Sequence, residues 1–244
     1  MNNEKYTAII IEPRVHTAFK LVLENFLTHL DDQWDIIIFH GNLNKQMLEE
    51  LVDSDLKMYK SRIKMIHMKV DNLSFFDYNS LLRCKKFYEY IPTEMFLVFQ
   101  LDTLISDVYK NNIYDFMQYD YVGAPWPMHF PDLVGNGGLS LRRKSKMLQI
   151  LDEWPIDPRI NEDMYFASYT GLHKPSYQDA KNFSVECIYH DKSFGIHQCW
   201  EYMSDEQMQI ISRHIPQIFE LKHMYSQYTS GSCRMSIMNI SEIF

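Results

Sequence analysis

What this sequence lacks narrows its chemistry before any motif is read. No Gly-x-Gly-x-x-Gly follows the first apolar run and no Gly-x-x-x-x-Gly-Lys-Ser/Thr occurs, which excludes a dinucleotide fingerprint and a P-loop. The four cysteines, Cys84, Cys187, Cys199 and Cys233, stand far apart with no Cys-x-x-Cys pair. That spacing excludes a zinc knuckle and a dense disulfide framework, and it reads as reduced thiols in a cytosol-like, cytoplasmic compartment. No apolar run approaches the roughly 18 residues of a membrane span, and the opening Met-Asn-Asn-Glu-Lys lacks the basic-then-apolar layout of a signal peptide. Basic charge is short as well, with 24 Lys and Arg against 32 Asp and Glu for a net charge of −8. A general nucleic-acid binder needs a basic surface, so any phosphate bound here is small and held locally.

What is present is an alternation of short apolar runs and amphipathic segments, in a chain of 244 residues that is 46% hydrophobic and can furnish a full core. Tyr6 to Glu12 is a β-branched run closed by Pro13, as in a strand buried on both faces. A helix is predicted over about Thr17 to Leu30, a strand over Trp34 to Phe39, a helix over Asn44 to Val52 and a strand over Ile63 to Val70. This rhythm predicts an α/β fold, a mostly parallel central sheet flanked by helices. Further on, the pattern predicts a helix from an N-cap at Asp77 to Tyr90, one strand from Met95 through Ile105, another over Tyr119 to Trp126, and a helix over Lys144 to Trp154. A polar and aromatic loop through His129 and Phe130 leads to a glycine cluster. Helices interrupted near Pro216 close the chain over Ser204 to Met224, and the last twenty residues are predicted to be weakly structured. No repeat or linker divides the chain, so one domain is expected.

Three of the eight glycines, Gly135, Gly137 and Gly138, fall within Val-Gly-Asn-Gly-Gly-Leu-Ser-Leu-Arg-Arg over 134–143. Such clustering describes a main chain shaped for close contact, with a ligand or with itself in a tight turn. Gln100 and Asp102 are two apart in a predicted strand, so both would project to one side at its end. A carboxylate there either holds a divalent cation such as Mg²⁺ or Mn²⁺ or caps the following segment. Glu12 and Arg14 sit at the carboxyl end of the first strand, where ligands bind in open α/β sheets and where a surface ion pair is equally at home. Asn79 and Arg83, four apart, share a helix face. Glu162 and Asp163 open a short helix, where they complement its dipole or one of them serves as a general base. Trp126 is a stacking platform or core packing, and His197 a metal ligand or a core histidine.

Five blocks follow one another along the chain: Gln100-Leu101-Asp102-Thr103, Asp120-Tyr121-Val122-Gly123-Ala124-Pro125-Trp126, Gly135-Asn136-Gly137-Gly138-Leu139-Ser140-Leu141-Arg142, Glu162-Asp163 and Gly195-Ile196-His197. On these blocks the chain, from about Tyr6 to Trp200, resembles an uncharacterised family of GT-A-like glycosyltransferases with members among bacteria, eukaryotes and giant viruses. The resemblance implies a GT-A-like domain over 1–203 with a helical extension over 204–244 packed on it. It also implies transfer of a sugar from a nucleotide-diphosphate donor, UDP-linked in first expectation, to a hydroxyl of a glycan or other acceptor, with inversion. Asp102 would inherit the metal role of an Asp-x-Asp motif, with Mn²⁺ or Mg²⁺ against the donor diphosphate, and His197 resembles the distal metal ligand. Glu12, Arg14, Asn79, Arg83, Gln100, Asp102, Gly137 and Gly138 would bind the donor. Trp126, Asn136 and Arg142 would touch the acceptor or sugar, with Arg14 or Arg142 also neutralising the departing diphosphate. Asp163 or Glu162 would be the base. Gln100 departs from the family pattern, since an amide stands where a first acid is expected, and the lower charge weakens metal binding. A nucleotide-sugar or glycan-binding module without turnover and a sugar nucleotidyltransferase are the other classes. The intact acid pair opposes the first, and the missing Gly-rich basic loop after the first strand opposes the second.

Overall fold

The computed structural model describes residues 5–128, 134–227 and 243–244. Its first half alternates as the apolar runs require: β1 (Tyr6–Ile11), α1 (Phe19–His29), β2 (Trp34–His40), α2 (Lys45–Asp53), β3 (Ile63–His67), α3 (Phe75–Leu82) and β4 (Met95–Phe99). The second half is more broken: β5 (Thr103–Ile105), β6 (Tyr121–Gly123), β7 (Leu139–Arg143), α4 (Lys144–Glu153), α5 (Glu162–Ala167), α6 (Tyr177–Ala180), β8 (Ser184–Val185), β9 (Gly195–His197), α7 (Asp205–Ile211) and α8 (Ile218–Gln227). The central sheet has the order β3-β2-β1-β4-β7-β6. Strands β1 to β4 pair in parallel, and β7 runs against both β4 and β6. One antiparallel strand inside an otherwise parallel sheet is what the expected mostly parallel α/β architecture becomes.

Every residue of β1 is buried because both faces of the sheet are covered. Ala8 and Ile10 enter one apolar cluster with Phe26 of α1 and Phe99 of β4, whose rings stack at 3.9 Å. Ile9 and Ile11 enter the other with Leu81, Phe87 and Phe96. This two-sided burial explains why β1 and β2 read as continuous apolar runs rather than alternating ones. On the first face, Asn25 of α1 is buried and bonds the backbone of Ile105 with both ends of its amide, at 3.1 and 2.7 Å. That double bond ties α1 to a second, three-stranded sheet of order β5-β9-β8.

Several boundaries depart from the sequence-based expectations, among them Tyr119 to Trp126, where the strand is only Tyr121–Gly123, and Ile63 to Val70, where it ends at His67. The helix expected from Asp77 starts three residues earlier, because Ser74 is the N-cap and Asp77 is the reciprocal partner of a capping box. It stops at Leu82; the chain then turns so that Phe87 and Tyr88 reach the core, with the Tyr88 hydroxyl donating to Leu82 O at 2.7 Å. The single strand expected from Met95 to Ile105 is two strands in two sheets. Gln100 O accepts from both the backbone N–H and the hydroxyl of Thr103, at 3.2 and 2.6 Å, which closes a turn. Hydropathy hides this turn because Leu101 within it is also buried. At the carboxyl end, α7 and α8 lie on either side of Pro216 as expected. The expected weak structure of the last twenty residues falls mostly outside the described residues, as do His129, Phe130 and Cys233. Ile243, however, is buried and its carbonyl accepts from Lys69 N at 2.7 Å, while Phe244 packs on Tyr90 with centroids 4.3 Å apart. Among the described residues no helix is long and apolar enough to cross a membrane.

Candidate active site

Where the strands of the central sheet end, the chain leaves a cavity of about 440 Å³. Its wall is built from distant segments: Glu12, Pro13 and Arg14 after β1, Asn72 to Phe75 with Tyr78 and Asn79 around the start of α3, and Gln100 and Asp102 in the turn between β4 and β5. Asn136, Gly137 and Gly138 precede β7, Asn161 to Asp163 open α5, and His197 ends β9. The second sheet explains the last placement, since β5 and β9 pair antiparallel with Thr103 opposite His197. Gln198 N then donates to Asp102 O at 2.9 Å, and Gln198 takes a left-handed φ of 45°, turning the chain away after His197. His197 Nε2 thereby lies 3.5 Å from Asp102 Oδ1.

The glycine cluster makes its close approaches to these side chains. A Cβ on Gly138 would lie 2.2 Å from His197 Nε2, and one on Gly137 would lie 2.6 Å from Glu162 Oε1. Glycine is therefore needed here so that His197 and the acid pair can sit against the main chain, while both residues still face the cavity. Gly137 N donates to Asp163 Oδ2 at 3.1 Å, and Gly138 N donates to Asn136 Oδ1 at 3.0 Å.

The two adjacent acids of α5 have different fates. Glu162 is buried and takes both terminal nitrogens of the fully buried Arg142, at 2.7 and 2.9 Å, in a bidentate pair. Arg142 Nε donates to Ser140 Oγ at 2.9 Å, and its guanidinium lies 5.0 Å from the centre of the Tyr121 ring. Burial works against the Arg142 charge, but Glu162 more than offsets this and holds its pKa well above the ordinary value. Asp163 has no such partner. Burial, then the Glu162 charge, push its pKa up to about 6, while the N–H groups of Met164 and Gly137 pull the other way. A carboxylate poised there accepts a proton near neutral pH.

At the other side, burial raises the pKa of Asp102 against the opposing pull of His197. His197 is itself raised: burial lowers it, but Asp102 and Glu186 outweigh that. Among the described residues no group of three or more His, Cys, Asp or Glu is placed to hold a metal ion. The geometry explains why, since Asp102 and Glu186 flank the His197 ring at opposite nitrogens, each at 3.5 Å, and cannot share one ion. Asp102 and His197 do fit one. Asp102 Oδ1 is buried without a hydrogen-bond partner 3.5 Å from His197 Nε2, and since adjacent donors of an octahedral hard cation stand about 3 Å apart, a closure of about 0.5 Å would let both hold one.

Of the residues expected from sequence, the cavity brings together Glu12, Arg14, Asn79, Gln100, Asp102, Asn136, Gly137, Gly138, Glu162, Asp163 and His197. Three lie off its wall. Arg142 is fully buried behind Glu162, so its charge serves the fold in place of a sugar contact or a diphosphate. Arg83 bonds the carbonyls of Asn79, Asp157 and Ile160 and so braces the loop before α5. Trp126 is 7% exposed within the apolar cluster of Ile9 and Phe96, which is packing and no platform. Glu12 and Arg14 form a local pair, Oε2 to NH2 at 2.6 Å, at the cavity edge. Gln100 and Asp102 project from a turn and not from a strand face, and Gln100 Nε2 donates to the Tyr78 hydroxyl at 3.0 Å. Sequence reasoning missed Tyr78, the exposed Phe75, Tyr225 of α8 and Glu186. Tyr78 adjoins Asn79 and could have been found from it; Glu186 follows a two-residue strand that carries no sequence signal.

With this geometry in place, the fold is an α/β fold of the GT-A type, a mostly parallel sheet with its cavity at the strand ends. The chain belongs to the family described as Protein of unknown function (DUF5672), whose profile matches residues 62–197, over half its length. Among solved structures it is similar to mannosyltransferase PcManGT from Pyrobaculum calidifontis, in complex with GDP-Man and Mn²⁺, with a TM-score of 0.50 and 11% identity. That match covers 71% of this chain and 55% of the mannosyltransferase, so the chain spans about half the length of that protein. It is also similar to HddC from Yersinia pseudotuberculosis complexed with GMP-PN, with a TM-score of 0.49, 13% identity and coverage of 85% and 99% of the two chains. A third is the galactosyltransferase LgtC with donor and acceptor sugar analogs, with a TM-score of 0.48, 9% identity and coverage of 89% and 99%. At 11% identity the likeness to the mannosyltransferase is one of fold. Comparison with curated proteins by sequence returns no match.

Proposed function

We propose that this protein is a glycosyltransferase that moves a sugar from a nucleotide-diphosphate donor, UDP-linked in first expectation, to a hydroxyl acceptor with inversion at the anomeric carbon. The observation that carries this reading is Asp163, a carboxylate with a pKa of about 6, held by Gly137 N–H in the same cavity as the Asp102 and His197 pair. Asp163 takes the proton of the acceptor hydroxyl as its oxygen attacks the anomeric carbon. The bond from that carbon to the diphosphate oxygen breaks, and its electron pair leaves with the diphosphate. Glu162, already committed to Arg142, is the weaker candidate and serves to raise the basicity of its neighbour.

Charge on the cavity wall supports a divalent cation. Arg14 is bonded to Glu12 and Arg142 to Glu162, which leaves Asp102 and Asp163 against His197 among the described lining residues. Such a wall repels a diphosphate unless a cation accompanies it. Asp102 Oδ1 and His197 Nε2 are the atoms that would hold Mn²⁺ or Mg²⁺, as the fold-related mannosyltransferase was seen with Mn²⁺. Bound there, the ion would neutralise charge developing on the leaving diphosphate. Tyr78 fixes the Gln100 amide by accepting from its NH₂, leaving the amide oxygen for a donor hydroxyl. We further read 204–244 as an extension of a single domain, since Ile211, Ile215, Ile218 and Leu221 join the cluster of β1 and α1.

The test is a thermal-shift screen of nucleoside diphosphates and nucleotide sugars with and without Mn²⁺. A cognate donor at a hundredfold its Kd stabilises by about 2.7 kcal/mol, and the shift should require the metal. A flat screen across all donors would sink this reading.

A further inference from the structure

Glu186 lies beyond the cavity wall, yet it touches two of the groups that form it. Its Oε1 accepts from Asn136 Nδ2 at 2.8 Å and faces His197 Nδ1 at 3.5 Å. Its side chain is only 12% exposed, so these contacts are made away from bulk water. Through Asn136 the carboxylate reaches the glycine loop, because Asn136 Oδ1 accepts from Gly138 N at 3.0 Å. Through His197 it reaches Asp102, because Nε2 at the far side of the ring lies 3.5 Å from Asp102 Oδ1. One carboxylate thus sits where two lines of contact meet, one to the loop and one to the acid.

We propose that Glu186 is a positioning residue that fixes the His197 ring and the Asn136 amide together. The chemistry follows from donor and acceptor types. An ionised carboxylate only accepts, so the amide edge of Asn136 that faces it must be the NH₂, which turns Oδ1 toward Gly138 N. By the same rule both imidazole nitrogens face an acceptor at 3.5 Å, Glu186 at Nδ1 and Asp102 at Nε2, so without a metal both carry hydrogen, and the one on Nε2 is the one a cation would displace. A carboxylate behind a ligating histidine sets the ring's tautomer and its orientation, and losing it typically weakens metal binding 10- to 100-fold. The close packing of His197 on Gly138 makes the arrangement rigid, since the ring has no room to swing toward the loop. Ring, loop and carboxylate are therefore one unit, and removing the carboxylate releases the other two.

The metal arm of this proposal rests on the glycosyltransferase reading; the ring arm does not. The experiment compares the parent with Glu186→Gln and Glu186→Asp by side-chain ¹H–¹⁵N spectra of the histidines, assigned with His197→Gln, and by calorimetry of Mn²⁺ with UDP and with GDP. In the parent, His197 should show a single ring form with a slowly exchanging hydrogen on Nδ1. In Glu186→Gln, whose amide can present either a donor or an acceptor, that signal should be lost or split between two forms. Nucleotide affinity in Mn²⁺ should fall about 10- to 100-fold there while affinity without metal stays unchanged. Glu186→Asp keeps the acceptor and should restore a single ring form. Ring spectra identical in all three proteins would overturn the positioning role, whatever the nucleotide result. Failure of the parent to bind either nucleotide would instead remove the glycosyltransferase reading and leave the ring spectra to decide the role of Glu186.

Discussion

Arg142 meets Glu162 of the cavity wall from behind, with both terminal guanidinium nitrogens and both carboxylate oxygens matched, at 2.7 and 2.9 Å. Asp102 and His197 face each other across 3.5 Å in the same cavity, with Asp102 Oδ1 lacking a hydrogen-bond partner. Both are buried pairs of opposite charge, and the difference between them is one of completeness. A buried pair with every atom satisfied holds the fold, and breaking it leaves an uncompensated charge. A buried pair left incomplete is costly on its own and makes sense where something else completes it. Asp163 stands between these cases, since two backbone N–H groups bond its oxygens while Arg142, committed to Glu162, pulls on its charge only weakly.

The largest expected effect comes from Asp163 itself. Asp163→Asn removes the proton acceptor and should lower the transfer rate by about 10² to 10⁴, with the fold retained. Parent activity should rise with pH through an apparent pKa near 6, the value to which burial lifts this carboxyl. Stability should move in the opposite direction. A carboxyl raised from 3.8 to about 6 carries a folding penalty that is absent below pH 4, grows between pH 4 and 6, and is complete above 6. Two units correspond to about 3 kcal/mol, and the asparagine gives up one of two backbone hydrogen bonds, about 1 kcal/mol. The variant should therefore be about 1 to 2 kcal/mol more stable than the parent at pH 7.5 and no more stable at pH 4, as read from urea unfolding. A variant that transfers sugar at the parental rate would show that another group takes the proton.

Next in size is the finished pair. Arg142→Met leaves Glu162 buried without its cation, and such losses cost about 3 to 5 kcal/mol. Denaturant midpoints should fall accordingly. An unchanged midpoint would mean that Arg142 is dispensable to the fold and would reopen its role as a ligand contact.

How much of this was legible follows from which forces leave a mark on the sequence. Burial on both faces writes an unbroken apolar run, so β1 and β2 could be read directly and the parallel α/β class with them. The turn at Gln100-Leu101-Asp102 left no such mark, because Leu101 is as buried as its strand neighbours and the apolar pattern passes through it. Strand β7 inserts antiparallel between β4 and β6, an arrangement set by tertiary pairing and absent from local periodicity. At the site, the residue types were legible and their partners were not. The glycine cluster predicts close contact with a ligand or a tight turn, whereas the missing Cβ atoms make room first for His197 and Glu162. Arg142 was read as a ligand contact because nothing in the sequence announces that Glu162, twenty residues on, will claim it. Glu186 was invisible for the same reason, being defined wholly by what the fold brings to it.

The smallest effect on the fold is expected where the pair is incomplete. Burial raises the pKa of Asp102, so its ionised form is disfavoured in the folded chain, and removing it relieves a cost. Asp102 O still accepts from Gln198 N whatever the side chain, so the turn that carries it keeps its backbone bond. Asp102→Ala should then leave the thermal midpoint within a degree or two of the parent. Nucleotide affinity in Mn²⁺ should fall about tenfold or more, because one of two protein donors to a hard cation is gone. The contrast with Arg142→Met is what matters: one substitution unfolds without a ligand, the other loses a ligand without unfolding. Should Asp102→Ala instead cost stability on the scale of Arg142→Met, Asp102 and His197 would be a second structural ion pair, and the cation would have to be sought elsewhere in the cavity.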